Sequence, residues 1–457
     1  MNKTEYDVQT IVAQCTPSGS GALALIRICG NDTVSLLNGM ADLASGKKLI
    51  DQPTHTIHYG SIVSTNSTID TVLFLLMRAP HTFTGQDTVE ITCHNNPFII
   101  QEIIAAVIAH GARLADPGEF SKRAVLNGKM DLVQAEAIDE LIHANTYHAL
   151  KRSLAQLQGS LSEWIEQIEQ QLLHALALCN ASFEFLDDES IEFSTTIAEI
   201  IINLQHEVAQ ITNSFNQQQH IRQGIRIALV GSVNAGKSSL FNTLIGKNRA
   251  IVTPIAGTTR DVIEAGLYKD GAYWTLIDTA GLRTTDDIIE QEGIARTFAQ
   301  AHEADVLLLV FDASRTLQPS EQEIYNQLLR QYDQKIISVF NKCDAGLVEK
   351  PTNNAIICST HTKEGIDALQ QALHEKIAQL LAQHTSPFLI NKRQQSYLQT
   401  LQSQLDEIAQ LVNKKPTAYE LIAIHLNEAL AQLLQLTGKT VSESAMDQIF
   451  KHFCIGK

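Results

Sequence analysis

The sequence predicts a multidomain chain of α/β and α regions: a small N-terminal α+β domain, a helical domain, and a P-loop α/β domain inserted into the helical one. Three observations predict it. The chain has 457 residues, and at roughly 100–200 residues per domain that makes two to four domains. A glycine-rich phosphate motif in mid-chain, GSVNAGKS at 231–238, follows an apolar run and opens a helical one. The chain on both sides of the α/β block is helical in texture, the pattern left when one domain is inserted into another.

Each element has its own signal. Residues 1–119 mix β-type runs (TVLFLLM, DTVEITCH) with one helical run, PFIIQEIIAAVIAHGA. Residues 120–217 turn helical, with apolar residues three and four apart in MDLVQAEAIDELIHANTYHALKRSLAQLQGSL. The polar stretch 213–224 reads as a linker. Across 218–380 short apolar strands alternate with helices, the pattern of a parallel-sheet domain. Residues 381–457 return to helix. There Val441, Met446, Ile449, Phe450 and Phe453 form a stripe that predicts a docked last helix, with Thr440 and Glu443 as its capping box. Cys454 follows as either a small hydrophobe ending the stripe or a thiol carried on an anchored tail.

Composition bounds the function. Hydrophobic residues make up 44% of the chain, enough for real cores. The net charge of −16 argues against broad nonspecific nucleic-acid binding and leaves room for local basic patches. Seven cysteines without a CxxC pair argue for reduced thiols and a cytoplasmic location. The first residues, MNKTEYDV, lack the build of a secretory signal. The longest apolar run, VLLLVF at 306–311, lies between Asp305 and Asp312 and reads as a buried strand, far short of the roughly 18 residues of a membrane span.

The motifs identify a GTP-binding, Ras-like G domain. In the loop Asn234-Ala235-Gly236-Lys237-Ser238-Ser239, backbone N–H groups and a helix N-terminus suit phosphates, Lys237 suits the β- and γ-phosphates, and Ser238 suits Mg²⁺. Asp278-Thr279-Ala280-Gly281 follows the apolar WTLI; Asp278 suits an outer-shell contact to Mg²⁺ and the Gly281 N–H a γ-phosphate. Between them, Gly257-Thr258-Thr259-Arg260-Asp261 reads as a switch loop, with Thr259 a second Mg²⁺ ligand. Asn341-Lys342-Cys343-Asp344 follows IISVF, and Asp344 accepts both guanine N–H groups that adenine lacks, a distinction worth about 10⁴ or more. Ser359-Thr360-His361 stands in the base-flanking loop. Leu282 occupies the place where many GTPases put a water-orienting Gln. The acids nearby are Asp286, Asp287, Glu290 and Glu292, and Arg260 and Arg283 are the candidate fingers.

The chain resembles the MnmE (TrmE) family of tRNA-modification GTPases throughout. The carrying residues are TIVAQCTPSGSGALALIRICG, PGEFSKRAVLNGKMDLVQAEAI, NAGKSS, PIAGTTRD, DTAGLR and the final CIGK. The resemblance implies an N-terminal folate-binding domain that forms a homodimer, and a flavoprotein partner, MnmG (GidA). It implies joint modification of C5 of the wobble uridine in certain tRNAs. K⁺ activation is implied too, with Asn234, Thr253, Ile255 and Thr258 as ligands, and Pro254 and Ala256 completing the loop around the nucleotide. Glu290 is implied as the catalytic glutamate, and Cys454 as a residue of the tail that reaches the folate site. For a tetrahydrofolate derivative (the 5,10-methylene form, or the 5-formyl form as analogue) it implies Arg27, Glu90, Lys129 and Lys457. Departures from the family pattern are Ser232-Val233, Asn95-Asn96 and Ser359-Thr360-His361. A ribosome-assembly GTPase similar in its G domain to Era or Der is the competing reading, and a scaffold whose GTPase controls dimerisation is a third.

Overall fold

The computed structural model describes residues 9–17, 19–64, 67–184, 193–215, 224–246, 263–269, 272–278, 297–348, 355–382 and 386–456. They group into two compact units. One holds 1–139, 155–204 and 400–457, and the other 140–154 and 205–399.

The first unit is built on a seven-stranded sheet. Its strands are β1 (Ile11–Gln14), β2 (Leu23–Cys29), β3 (Ala41–Leu43), β4 (Thr56–Ser64), β5 (Ser67–Met77), β6 (Thr88–His94) and β7 (Arg113–Leu114). They lie in the order β3-β4-β5-β6-β2-β1-β7. Successive side chains point to opposite faces, so Ala24, Ile26 and Ile28 of β2, Val72, Phe74 and Leu76 of β5, and Val89, Ile91 and Cys93 of β6 enter one core. The helix Pro97–Ala109 covers that face with Ile100, Ile103 and Val107. Asn96 caps it by accepting from Phe98 N at 2.9 Å, and Asn95 Nδ2 donates to Gly19 O at 2.8 Å, so both asparagines hold turns. The register sets Arg27 directly opposite Glu90, on the outward face.

The helical run after residue 130 forms separate helices at Leu132–Ile142, Tyr147–Leu157 and Ser160–Glu184. Asp131 and Gln134 cap the first reciprocally, each side chain accepting from the other's backbone N–H, at 2.8 and 3.0 Å. Arg123, 1% exposed, donates to Glu119, Gln86 Oε1 and Gln9 O, which ties the helix Glu119–Leu126 to the sheet. A buried guanidinium needs every such partner.

The last helix, Glu443–Phe450, docks as its stripe predicts: Val441, Met446 and Phe450 pack on Leu132 and Ala135. Its cap differs from the expectation. Ser442 accepts from Ala445 N at 3.4 Å. Thr440 belongs to the preceding turn, its N–H returning to Leu434 O at 3.4 Å. Gly118 makes the docking possible. It sits at φ +66, where a Cβ would lie 2.8 Å from Phe453 Cβ and 2.9 Å from Phe450 O, while its N–H donates to Cys454 O at 3.3 Å.

The second unit carries a six-stranded sheet of β8 (Ile225–Gly231), β9 (Ile263–Lys269), β10 (Ala272–Asp278), β11 (Val306–Asp312), β12 (Ile336–Asn341) and β13 (Ile356–Ile357). The order is β13-β12-β11-β8-β10-β9. All pairs are parallel except β9 with β10. The sheet is parallel as the alternating pattern predicts, with one antiparallel edge, because two residues of chain between β9 and β10 are too few for a parallel crossover. Both faces are buried: Ile225, Ile227 and Leu229 face the helices Lys237–Ile245 and Ile366–Ala382, and Ala228 and Val230 face Pro319–Tyr332. Double burial explains why these strands read as continuous apolar runs.

The close approach at Gly118 generates a prediction. Gly118→Ala should lower stability of the first unit by about 1–3 kcal/mol, from left-handed backbone strain and the clash with the last helix. It should also speed proteolytic cleavage after residue 443. Wild-type denaturant midpoint and cleavage rate together would show that the helix does not need this contact.

Candidate functional site

In the second unit, the phosphate loop leaves β8 and enters the helix Lys237–Ile245 through Gly236, at φ +92. A Cβ there would lie 2.2 Å from Asn341 Nδ2, so glycine is required by the approach of the next motif. Asn341 is fully buried and joins the two motifs: its Nδ2 donates to Ala235 O at 3.0 Å, and its Oδ1 accepts from Thr360 N at 3.2 Å. Lys237, 7% exposed, donates from Nζ to Gly231 O and Ser232 O, both at 2.7 Å. Asn234 is exposed at the loop's tip with φ +61, and Ser238 and Ser239 are exposed on the first helical turn.

The base end is equally ordered. The Ser359 hydroxyl donates to Asp344 Oδ1 at 2.6 Å, and this bond holds the Asp344 carboxyl below the usual carboxylate range. The same hydroxyl accepts from His361 N at 3.2 Å and Thr362 N at 3.1 Å, so the departure at Thr360-His361 leaves the loop's hydrogen-bonding centre in place. Lys342 pairs with Asp312 Oδ2 at 2.7 Å. Burial penalises the Asp312 charge, but Lys342 and Ser314 hold its carboxyl below the ordinary value. A guanine nucleotide fits this donor set: amides and an ammonium at one end, an ionised carboxylate at the other.

In the first unit, Arg27 Nε donates to Glu90 Oε1 at 2.8 Å, and Nη1 donates to Gly456 O at 3.3 Å. The Arg27 guanidinium lies 5.4 Å from the Phe120 ring centroid and 5.9 Å from that of Phe83, which is 39% exposed. Gly456 sits at φ +93, with room for no Cβ against Gln14 O at 2.6 Å. Cys454 is exposed, with its Sγ within 4.8 Å of an Asp139 carboxylate oxygen. Lys129 is oriented by Pro80 O, which accepts from its Nζ at 3.0 Å. The donor set around Arg27, a cation, a carboxylate and an exposed aromatic, suits a flat ligand that carries N–H groups and negative charge.

Several expected residues lie outside the described ones: Thr253, Pro254, Ile255, Ala256, Gly257, Thr258, Thr259, Thr279, Ala280, Gly281, Glu290 and Lys457. Asp278 is placed as the last residue of β10. Sequence reasoning missed Phe83, Phe120, Asp139 and Asp312. Phe120 lies within a stretch that carries the resemblance and the other three in none, and each matters through a neighbour distant in sequence. It also missed Cys15, whose thiol donates to Gly456 O at 3.1 Å.

Asp344 gives the test of base recognition. An amide at this position offers one donor where guanine needs two acceptors. Asp344→Asn should therefore weaken GTP by at least about 10²-fold and favour xanthosine triphosphate, in which a carbonyl replaces the exocyclic amine. Competition against a fluorescent nucleotide reads both, and unchanged GTP affinity would remove Asp344 from the base site.

Comparison with known proteins covers the whole chain. The family model for the GTP-binding protein TrmE N-terminus matches residues 10–129, and that for the MnmE helical domain matches 132–454. Among curated relatives, the tRNA modification GTPase MnmE of Chlorobium chlorochromatii is 37% identical, with 100% of each chain covered. The protein of that name from Chlamydia pneumoniae is 39% identical over 98% of this chain and 99% of its own. That of Bacillus anthracis is 36% identical over 99% and 100%. With two family models in series and full-length relatives at this identity, the chain belongs to the MnmE family of tRNA modification GTPases.

Proposed function

We propose that the protein is a GTP hydrolase of tRNA modification. In this reading it acts in the cytoplasm, as a homodimer with a flavoprotein of the MnmG type, and modifies C5 of the wobble uridine in certain tRNAs. The group added is carboxymethylaminomethyl or aminomethyl. The proposed domains are 1–119, 120–217, 218–380 and 381–457, the third an inserted G domain. The observation that carries the reading is the docking of Gly456 on Arg27, which sets the tail bearing an exposed Cys454 on the same sheet face as the Arg27–Glu90 pair. A ribosome-assembly switch has no use for that arrangement. The dimer is supported by apolar residues left open on the outward sheet face: Tyr59, 61% exposed, stands directly opposite Leu73, 42% exposed, beside Ile57.

The roles follow from the residue chemistry. Lys237 and the loop amides hold the phosphates, and Asn341, Asp344 and Ser359 hold the base. Ser238 and Thr259 would hold Mg²⁺, which supplies charge neutralisation between the β- and γ-phosphates. Asn234, at the exposed tip, offers a neutral amide oxygen and would hold K⁺ with Thr253, Ile255 and Thr258, placing a cation where other GTPases use an arginine. Glu290 takes over the water-orienting task that Leu282 cannot perform. Arg27, Glu90, Lys129 and Lys457 would hold a tetrahydrofolate derivative, the source of the one-carbon unit.

Two outcomes are expected. GTP turnover in K⁺ should exceed that in Na⁺ at equal ionic strength by on the order of 10–10³-fold, below an arginine finger's roughly 10³–10⁵. Equal rates would remove the K⁺ role. Nucleoside analysis of tRNA from a strain lacking the protein should show the wobble uridine unmodified. Complementation with Cys454→Ser should fail to restore it although GTP turnover stays normal, and full restoration would return Cys454 to a packing role.

A further inference from the structure

Ser232, the first residue of the phosphate loop after Gly231, is held at three atoms, two of them by groups that no motif contains. Its N–H donates to the Tyr325 hydroxyl at 2.6 Å. Its Oγ accepts from Arg315 Nη2 at 3.0 Å. Its carbonyl accepts from Lys237 Nζ at 2.7 Å. The two supports are themselves fixed. Tyr325, 4% exposed, donates its hydroxyl proton to Val310 O at 2.7 Å. Its ring lies 4.6 Å from that of Phe311. Arg315 is gripped by both carboxylate oxygens of Glu321, at 2.8 Å each. Glu321 also accepts from Gln318 N at 3.0 Å, which closes the capping box of the helix Pro319–Tyr332.

We propose that Tyr325 and Arg315 are positioning residues for Lys237, acting through Ser232. The inference rests on the GTP-binding reading and adds a device to it. Lys237 must reach the β- and γ-phosphates from an ammonium that also bonds the Ser232 carbonyl. Where that carbonyl points is set by the peptide units on either side of Ser232, and Tyr325 fixes the one on its N–H side. The helix Pro319–Tyr332 thereby sets the reach of the phosphate-binding lysine without touching nucleotide. A tyrosine suits the task because one hydroxyl both accepts from the loop and donates to the strand. No sequence pattern announces it, since Tyr325 occupies an ordinary apolar position of an amphipathic helix.

Tyr325→Phe removes the hydroxyl alone and leaves the Ser232 N–H and Val310 carbonyl without it. Buried groups left in that state are costly, and the expected effect is a rise in KM for GTP of roughly 5–50-fold with kcat within about threefold. A purely structural role would weaken free and nucleotide-bound protein equally and leave KM alone. The deciding measurement is a double-mutant cycle on fluorescent GTP-analogue affinity. In a Lys237→Ala background, Tyr325→Phe should cost little further, because the lysine it positions is gone. Arg315→Gln serves as an independent second variant, with the same expected pattern at smaller size. Unchanged KM in both variants, or a full additive cost without Lys237, would overturn the proposal. Failure of the unmodified protein to bind GTP would instead overturn the reading beneath it.

Discussion

A single guanidinium organises the functional face of the first unit. Arg27 bonds Glu90 across the β2–β6 pair and the Gly456 carbonyl from the far end of the chain, and it rests on the Phe120 ring. Its position depends on register. A slip of β2 by one residue against β6 would turn Arg27 toward the core and Ile26 toward water, and would part Arg27 from Glu90. The hydrophobic core of the sheet therefore fixes where the charge pair lies, and the pair fixes where the tail can settle. Gly118 and Gly456 complete the constraint, since both sit where backbone leaves no space for a side chain.

Much of this was legible because it lies in short-range pattern. Alternation in TVLFLLM and DTVEITCH gave the half-buried strands, and the stripe from Val441 to Phe453 gave the docked last helix. The phosphate loop and NKCD pointed to a nucleotide site through residue type, spacing and their place after apolar strands. What stayed hidden depends on pairs far apart in the chain. Cys15 meets Gly456, Lys122 meets Asp447 at 2.7 Å, and Tyr325 meets Ser232, and no local period encodes such partners. The mistaken cap has a local cause: Thr440 has the right chemistry and spacing, but the preceding helix's terminal turn uses its N–H. The direction of β9 was not legible, because strand count and apolarity do not report it.

The cysteines separate by environment. Burial pushes the Cys358 thiol up to about 12 and that of Cys93 to about 11, which leaves both as small hydrophobes at neutral pH. Cys454 differs in being exposed on a tail whose carbonyls at 454 and 456 are bonded on either side.

The buried Asn341 has a kinetic meaning. It bonds the phosphate loop and the base loop through Ala235 and Thr360, so the two loops are tied to each other through one side chain. A ligand gripped at both ends of such a site leaves slowly, because an end that lets go is held near its subsite by the other and recaptured. Residence time then falls steeply once either grip is weakened. A partner that speeds nucleotide exchange would need to disturb only the base loop, and the phosphates would follow.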